Sequence, residues 1–251
     1  MRREAFSALA AVEREHWFYR GKRDIVRHWV EQLLPLRQDD VLIDVGAGTG
    51  QLLAEMSASC RAFGVESHPE GVAQASARRV PLVQGSIDEL PLACARAAVV
   101  TALDVLEHVG DDRRALGELA RITRPGGLIV LHVPAFGILW SDWDDALGHR
   151  RRYSKQSLLR LVNEFPLAVR RCVYVNTAAF PAIGLYRLVR ARLAWGGRGH
   201  LEDRVPPGPL NRILHRCFVA HARWGWCSPP FGLSILCILQ RPGGSLAGGR
   251  P

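Results

Sequence analysis

Lysine is almost absent from this 251-residue chain: Lys22 and Lys155 are the two lysines among 33 basic residues, and arginine supplies the rest. That skew reads as compositional bias, so a net charge of +9 by itself says little about a partner. Its distribution says more. Residues 1–125 carry 16 basic and 18 acidic side chains and residues 126–251 carry 17 and 6, so an anionic partner would meet the second half. Long apolar runs are missing as well. No stretch reaches about 18 uninterrupted apolar residues, and charges recur near the N-terminus before signal-peptide length is attained, so a cytoplasmic chain is expected. The six cysteines, Cys60, Cys94, Cys172, Cys217, Cys227 and Cys237, include no Cys-x-x-Cys pair and no compact His/Cys cluster. Buried, reduced thiols and no metal site are the expectation. There is no internal repeat.

What is present is a strand and helix alternation. Apolar residues make up 48% of the chain, ample for one sizeable core. Ile25, Val26, Trp29, Val30, Leu33 and Leu34 recur at helical spacing over Arg23–Leu34, and Pro35 closes that helix. Val41–Val45 is a short apolar run ending in Gly46-Ala47-Gly48-Thr49-Gly50, after which Leu52, Leu53 and Met56 resume helical spacing. Further strands are expected at Arg61–Val65, Pro81–Gln84, Ala97–Leu103, Leu128–Val133, Leu167–Val175 and Phe231–Leu239. Helices are expected at Glu70–Arg79, Asp111–Ile122 and near Lys155–Asn163. The alternation predicts the α/β class: a Rossmann-like, mostly parallel seven-stranded sheet with helices on both faces. Ligands of such sheets bind beyond the carboxyl ends of the strands, near the topological switch point. Residues 135–165 and 176–230 interrupt the pattern as insertions. The second holds two apolar helical segments around the break Gly196 to Pro209, a helical lid before the last strand. The expected organisation is one domain over 1–242, with residues 1–35 as N-terminal cap and first helix, and 243–251 as a disordered tail.

A glycine triplet between a buried strand and a helix lets the backbone pass close to a ligand and aims free N–H groups at it. In a Gly-x-Gly-x-x-Gly dinucleotide fingerprint the third glycine would fall at position 51, which is Gln51; here it is Gly50. That spacing favours S-adenosylmethionine over a nicotinamide dinucleotide. Glu66, twenty residues after Gly46, ends the second strand, where a carboxylate can accept both hydroxyls of a ribose; it suits either nucleotide.

Val41–Gly50, Glu66, Gly85–Leu90, Asp104–His108 and Arg124–Gly127 together resemble the ordered motifs of the class I S-adenosylmethionine-dependent methyltransferases. The resemblance runs from roughly Trp17 to Pro134, and Phe231–Pro242 resembles the family's terminal strand. It implies that Asp44, Gly46, Ala47, Gly48, Gly50 and Glu66 hold the cofactor and that Asp104 lies beside the methionine amino group. The family places an acid straight after the third-strand glycine to meet the adenine amino group. This chain has Ser86 there, then Ile87 and Asp88, so Ser86 or Asp88 makes that contact while the Ile87 backbone meets the ring edge. Glu107 and His108 follow Asp104 at the rim, with Glu107 read as a helix N-terminal acid. The segment Glu15–Arg23 resembles the N-terminal cap of a bacterial subgroup acting on small molecules and lipids, with Arg20 or Arg23 on the methionine carboxylate.

Methyl transfer from a sulfonium needs in-line approach of an electron-rich atom, so positioning and exclusion of water carry much of the catalysis. A general base is needed only where the nucleophile sheds a proton. Over the mouth of the site, in Pro134–Tyr153, His149 is expected as that base, with Tyr153 orienting it or the acceptor; the structural alternative ties His149 to Asp142 or Asp145. Asp142, Asp144 and Asp145 form a helix-capping turn, or bind magnesium if the acceptor carries a diphosphate. Arg150–Arg152 is a solvated face or a contact for an anionic acceptor. Ile183, Leu185, Tyr186, Leu188, Val189, Leu193 and Trp195 among Arg187, Arg190 and Arg192 suit a lid over a lipophilic acceptor, ahead of a peripheral membrane anchor or a dimer interface. The expected function is methyl transfer from S-adenosylmethionine to a small-molecule, lipophilic or anionic acceptor. The alternatives are a nicotinamide-dependent oxidoreductase, disfavoured by Gln51, and a cofactor-binding interaction protein without transfer chemistry. No nucleic-acid partner is expected, because the chain has no Asn-Pro-Pro-aromatic motif and no aromatic stacking platform.

Overall fold

The computed structural model describes residues 10–193, 205–224 and 229–243. In chain order its elements are α1 (Trp17–Leu33), β1 (Val41–Val45), α2 (Gln51–Met56), β2 (Arg61–Glu66), α3 (Pro69–Ala77), β3 (Leu82–Gln84), β4 (Ala97–Leu103), α4 (Asp112–Ile122) and β5 (Thr123–Pro134). There follow a 3-10 turn (Gly137–Leu139), α5 (Asp142–Leu147), α6 (Lys155–Val162), β6 (Ala168–Val175), α7 (Phe180–Leu193), α8 (Gly208–Trp224) and β7 (Ser234–Gln240). The seven strands form one sheet in the order β3-β2-β1-β4-β5-β7-β6. The first five in that order are parallel, and β7 runs antiparallel between β5 and β6. This is the Rossmann-like α/β architecture that the alternation predicts. Because β1 pairs with β2 on one side and β4 on the other, the crevice of the switch point opens above the glycine turn.

The sheet is covered on both faces. One face buries Leu116, Leu119 and Ile122 of α4 with Leu158 and Val162 of α6. The other buries Ile25, Val26 and Val30 of α1, Leu52 and Leu53 of α2, and Phe218 and Val219 of α8. Cys60 and Cys237 are buried thiols as expected, but Cys94 and Cys217 are exposed because both lie outside the apolar faces. Among the described residues no helix is long and apolar enough to cross a membrane.

Three local features differ from the sequence reading. First, α1 begins at Trp17, six residues ahead of Arg23. The His16 ring accepts from the Phe18 amide at 3.3 Å, and Trp17, Gly21 and Ile25 form one buried stripe, so the aromatic stretch is the first turns of the helix. Second, β5 extends back through Pro125-Gly126-Gly127, where the Gly126 amide donates to the Arg241 carbonyl at 2.9 Å. Third, α5 interrupts the expected irregular stretch; a Ser141/Asp144 capping box starts it and Gly148, at φ +75°, ends it. Residues 244–251 of the expected tail and residues 194–204, which include part of the expected Gly/Pro break, lie outside the described residues.

Helix α8 also braces the N-terminal helix. Asn211 of α8 accepts from the Trp17 amide and donates to the Glu15 carbonyl, both at 2.8 Å, and His215 pairs with Asp24 at 2.8 Å. Phe18 stacks on Phe218 with ring centroids 5.8 Å apart. A Cβ on Gly21 would stand 2.5 Å from Phe218 Cδ1. Gly21→Ala is therefore expected to lose stability: overpacking costs about 1–3 kcal/mol, against a helix-propensity gain of about 1 kcal/mol. Urea denaturation measures the balance, and Phe218→Leu in the same chain should recover most of the loss.

Candidate functional site

A cavity of about 1300 Å³ opens at the carboxyl ends of the parallel strands. Its floor is the turn after β1. Gly46 and Gly48 adopt φ of +74° and +55°, a region L side chains rarely enter. A Cβ on Gly46 would lie 2.5 Å from Val105 Cγ2, so that glycine is fixed by the protein itself. A Cβ on Gly48 would meet nothing within 4 Å. Nothing in the fold crowds Gly48; its bare backbone faces the cavity, as a cofactor passing close to the main chain requires. Ala47 and Gly50 continue the turn, the Gly50 amide donating to the Ala47 carbonyl at 2.9 Å.

Glu66, 5% exposed at the end of β2, ties two loops together. One carboxylate oxygen accepts from the Gly48 amide at 2.8 Å and the other from the His68 amide at 2.9 Å. The Oε1 atom that takes the His68 amide also meets the Ser67 hydroxyl and His68 Nδ1, each at 3.3 Å, whereas Oε2, with the Gly48 amide, retains capacity for a further donor from the cavity that Glu66 lines. Ser86 and Ile87 line the same cavity, and Asp88 holds Ser86 through a 3.4 Å contact between their side chains.

Asp44 lies beneath the turn, accepting from the Thr101 hydroxyl at 2.6 Å. Burial pushes its carboxyl up to about 7, the nearby Glu66 charge adds to the rise, and the Thr101 hydrogen bond and Lys22 oppose it. An acid protonated more readily when folded loses stability as pH rises from its unfolded pKa near 4 through about 7. Asp44→Asn keeps the acceptor for Thr101 and removes that loss. Its stability relative to the parent should grow between pH 5 and pH 8 by on the order of 1–4 kcal/mol, read from urea denaturation at both pH values. A difference independent of pH would contradict the assignment.

Asp104, at φ +58° after β4, is the charged hub. Its carboxylate meets the Lys22 ammonium on one oxygen and His132 Nδ1 at 2.6 Å on the other. Desolvation alone would raise its pKa, but Lys22 and His132 outweigh it and hold the carboxyl below the usual range. The Lys22 ammonium stands 4.7 Å from the Phe18 ring centroid and 5.1 Å from that of Tyr19, favourable cation–π positions. Lys22 and Arg23 line the cavity; Arg23 is held by Glu55 at 2.8 Å and by the Glu13 carbonyl at 2.8 Å. Arg20, expected at the methionine carboxylate, is instead exposed on the opposite side of α1, 4.0 Å from Asp24.

The acceptor side is built on a buried ion network. Asp144, fully buried, receives Arg152 Nε at 2.8 Å, Arg152 Nη2 at 2.9 Å and the Ser141 amide at 2.9 Å. It also holds His149 Nδ1 at 2.7 Å. Asp144, rather than Asp142 or Asp145, is therefore the residue tied to His149. Burial would raise the Asp144 carboxyl, yet His149 and Arg152 hold it well below the ordinary range. A carboxylate so fully engaged is not free for a magnesium ion, and among the described residues Asp142, Asp144 and Asp145 do not bring their ligand atoms together as a metal-binding group. Tyr153 does not orient His149: it is buried, and its hydroxyl meets Asp112 at 2.8 Å and the Leu106 carbonyl at 3.3 Å, away from the cavity. Its backbone carbonyl accepts from the Phe136 amide at 2.8 Å, which fixes the strand-like contact with Ala135.

Glu107 and His108 complete the rim. Glu107 is 0% exposed and neither carboxylate oxygen has a hydrogen-bond partner. Burial, reinforced by the Asp104 charge, raises its pKa well above the ordinary value. His149 Nε2 lies 4.0 Å from Glu107 Oε1, and the His108 and His149 rings meet edge-on at 4.8 Å. Burial and the neighbouring His149 lower His108 to about 4. Sequence reasoning assigned no role to Lys22 or His132. One signal was available: in a chain that uses arginine almost everywhere, a retained lysine marks a site where a compact ammonium is required.

A methyltransferase-domain family model matches residues 18–171. A demethylmenaquinone methyltransferase of Mycolicibacterium paratuberculosis is 35% identical over 99 residues, covering 35% of this chain and 43% of that relative. The 27-O-demethylrifamycin SV methyltransferase of Amycolatopsis mediterranei is 32% identical over 109 residues, covering 39% of this chain and 40% of its own. The matches thus span less than half the length of either relative. Among solved structures, a chain of the complex between the Haloferax volcanii Trm112 methyltransferase activator and a methyltransferase superposes with a TM-score of 0.61 at 18% identity, covering 94% of this chain and 97% of that one. At that identity the likeness shows the shared fold. The glycine turn, the β2 carboxylate and a family match over most of the sheet agree, and the chain belongs to the methyltransferase-domain family of class I S-adenosylmethionine-dependent enzymes.

Proposed function

We propose that the cavity transfers a methyl group from S-adenosylmethionine to a small, lipophilic acceptor that carries a nucleophilic oxygen. The observation that carries this reading is that one cavity has two unlike walls. The glycine turn, Glu66 and the Asp104–Lys22 pair form a polar wall; Ala179, Ala182, Ile183, Tyr186, Leu210 and Leu214 of the insertion form an apolar one. The polar wall suits a nucleoside joined to a zwitterionic amino acid, and the apolar wall a hydrocarbon body. The relatives named for demethylmenaquinone and for 27-O-demethylrifamycin SV support small, largely apolar acceptors. Leu185, Leu210 and Ile213 stand exposed on α7 and α8, which suits contact with a lipid surface that stores such an acceptor.

When bound, S-adenosylmethionine supplies a methyl group activated on a sulfonium. In the proposed assembly Glu66 accepts the ribose hydroxyls, while Ser86 and the Ile87 backbone border the adenine. Asp104 takes the amino group, Lys22 takes the carboxylate in place of Arg20, and the Gly46–Gly50 turn lets both approach. On the acceptor side Asp144 fixes His149 by its Nδ1, which leaves the Nε2 lone pair beside Glu107 for the acceptor hydrogen. The insertion excludes water from the reacting atoms. Transfer from labelled S-adenosylmethionine to a panel of hydroxylated apolar acceptors tests this reading. His149→Gln should lower turnover at saturating cofactor by about 100-fold or more, and unchanged turnover would end the assignment of His149.

A further inference from the structure

Among the described residues, Glu107, His108 and His149 place one ligand atom each within 4.8 Å of the others. We propose that these three side chains hold a first-row divalent cation, of the class that takes imidazole and carboxylate together, at the acceptor end of the cavity. The orphaned carboxylate is the starting point. A fully buried polar group without a partner costs about 1–3 kcal/mol or more, and both Glu107 oxygens are in that condition. A cation would satisfy both.

The two histidines are set as ligands are. His149 Nδ1 is engaged by Asp144, itself locked by Arg152, so its Nε2 lone pair is the one that faces Glu107 at 4.0 Å. Carboxylate–histidine pairs of this kind fix the ring and raise its donor strength toward a metal. The His108 ring packs edge-on against His149, with the ring centroids 4.8 Å apart. Two nitrogens and one carboxylate are a donor set that suits zinc, iron(II), cobalt or manganese and leaves further positions open. Donors bound to one such ion at about 2.0–2.2 Å lie about 3 Å apart, so binding draws the trio together by about 1–2 Å, within the reach of side-chain rotation. All three residues line the cavity, so an open position faces the acceptor. An acceptor hydroxyl on the ion would have its pKa lowered, so that its proton could pass to water before transfer; with the ion bound, His149 Nε2 would be a ligand, and it would act as the base only in the ion-free enzyme. The aspartates of α5 play no part as ligands; Asp144 acts through His149.

This inference rests on placing the acceptor beside His149, and the test separates the two. Chelator-stripped full-length protein is titrated with cobalt(II), followed by its visible absorption, and with zinc(II), followed by thermal shift and metal analysis. S-adenosylmethionine binding is measured alongside by calorimetry. One cation per chain is expected, with the absorption of a low-symmetry nitrogen and oxygen site. Glu107→Gln and His108→Gln, with circular dichroism showing each variant folded, should lower affinity by about 10-fold or more. Cofactor binding without any cation, or cations held equally by the parent and both variants, overturns the metal site while leaving the methyltransferase reading in place. Absence of cofactor binding counts against that reading instead. Should either variant fail to fold, His149→Gln and the cobalt spectrum of the parent decide: an oxygen-only spectrum overturns the proposal.

Discussion

Replacing Glu66 by alanine should weaken S-adenosylmethionine binding by about 100- to 20,000-fold, because two hydrogen bonds to a charged acceptor contribute about 1.5–3 kcal/mol each. Two effects combine. The carboxylate proposed to meet the ribose is lost, and so is the bond from the Gly48 amide that holds the turn in shape. Glu66→Gln separates them, since its amide oxygen can keep the Gly48 contact but loses the charge and one acceptor. Its affinity should fall between the parent and alanine. Calorimetry measures all three, and equal affinities would remove Glu66 from the cofactor site.

The second large effect is expected at Lys22. Removing its ammonium by Lys22→Met leaves Asp104 with His132 as its remaining side-chain partner and takes away the group assigned to the methionine carboxylate. Cofactor affinity should fall by about 10- to 100-fold, the scale of one charge-assisted hydrogen bond. Lys22→Arg restores the charge but not the fit, because a planar guanidinium does not occupy the compact position between the Phe18 and Tyr19 rings. It should recover part of the loss. Arg20→Ala, on the exposed side of α1, should leave affinity unchanged.

The contrast between Arg20 and Lys22 shows where the sequence was legible. The sheet and the cofactor turn are written locally: the β1 run, the positive-φ glycines and a carboxylate one strand later follow from spacing alone. The first helix did not, because the aromatic segment before Arg23 was read as a separate cap. Once the helix starts at Trp17, its 3.6-residue period places Arg20 and Arg27 on the exposed side, each within 4.0 Å of Asp24, and turns Lys22 inward. The acceptor side was less legible for another reason. Asp144, His149 and Arg152 converge through the reversal at Gly148, and Tyr153 is captured by Asp112 from α4, which is remote in sequence. The Glu107, His108 and His149 trio likewise joins the end of β4 to a loop forty residues later, with none of the short spacings that mark a metal motif.

The most direct test of the account is a calorimetric titration of the unmodified protein with S-adenosylmethionine, its demethylated product and NADH. Saturable binding of the first two, one per chain, with none of NADH, is the predicted result; binding of NADH without S-adenosylmethionine would contradict it.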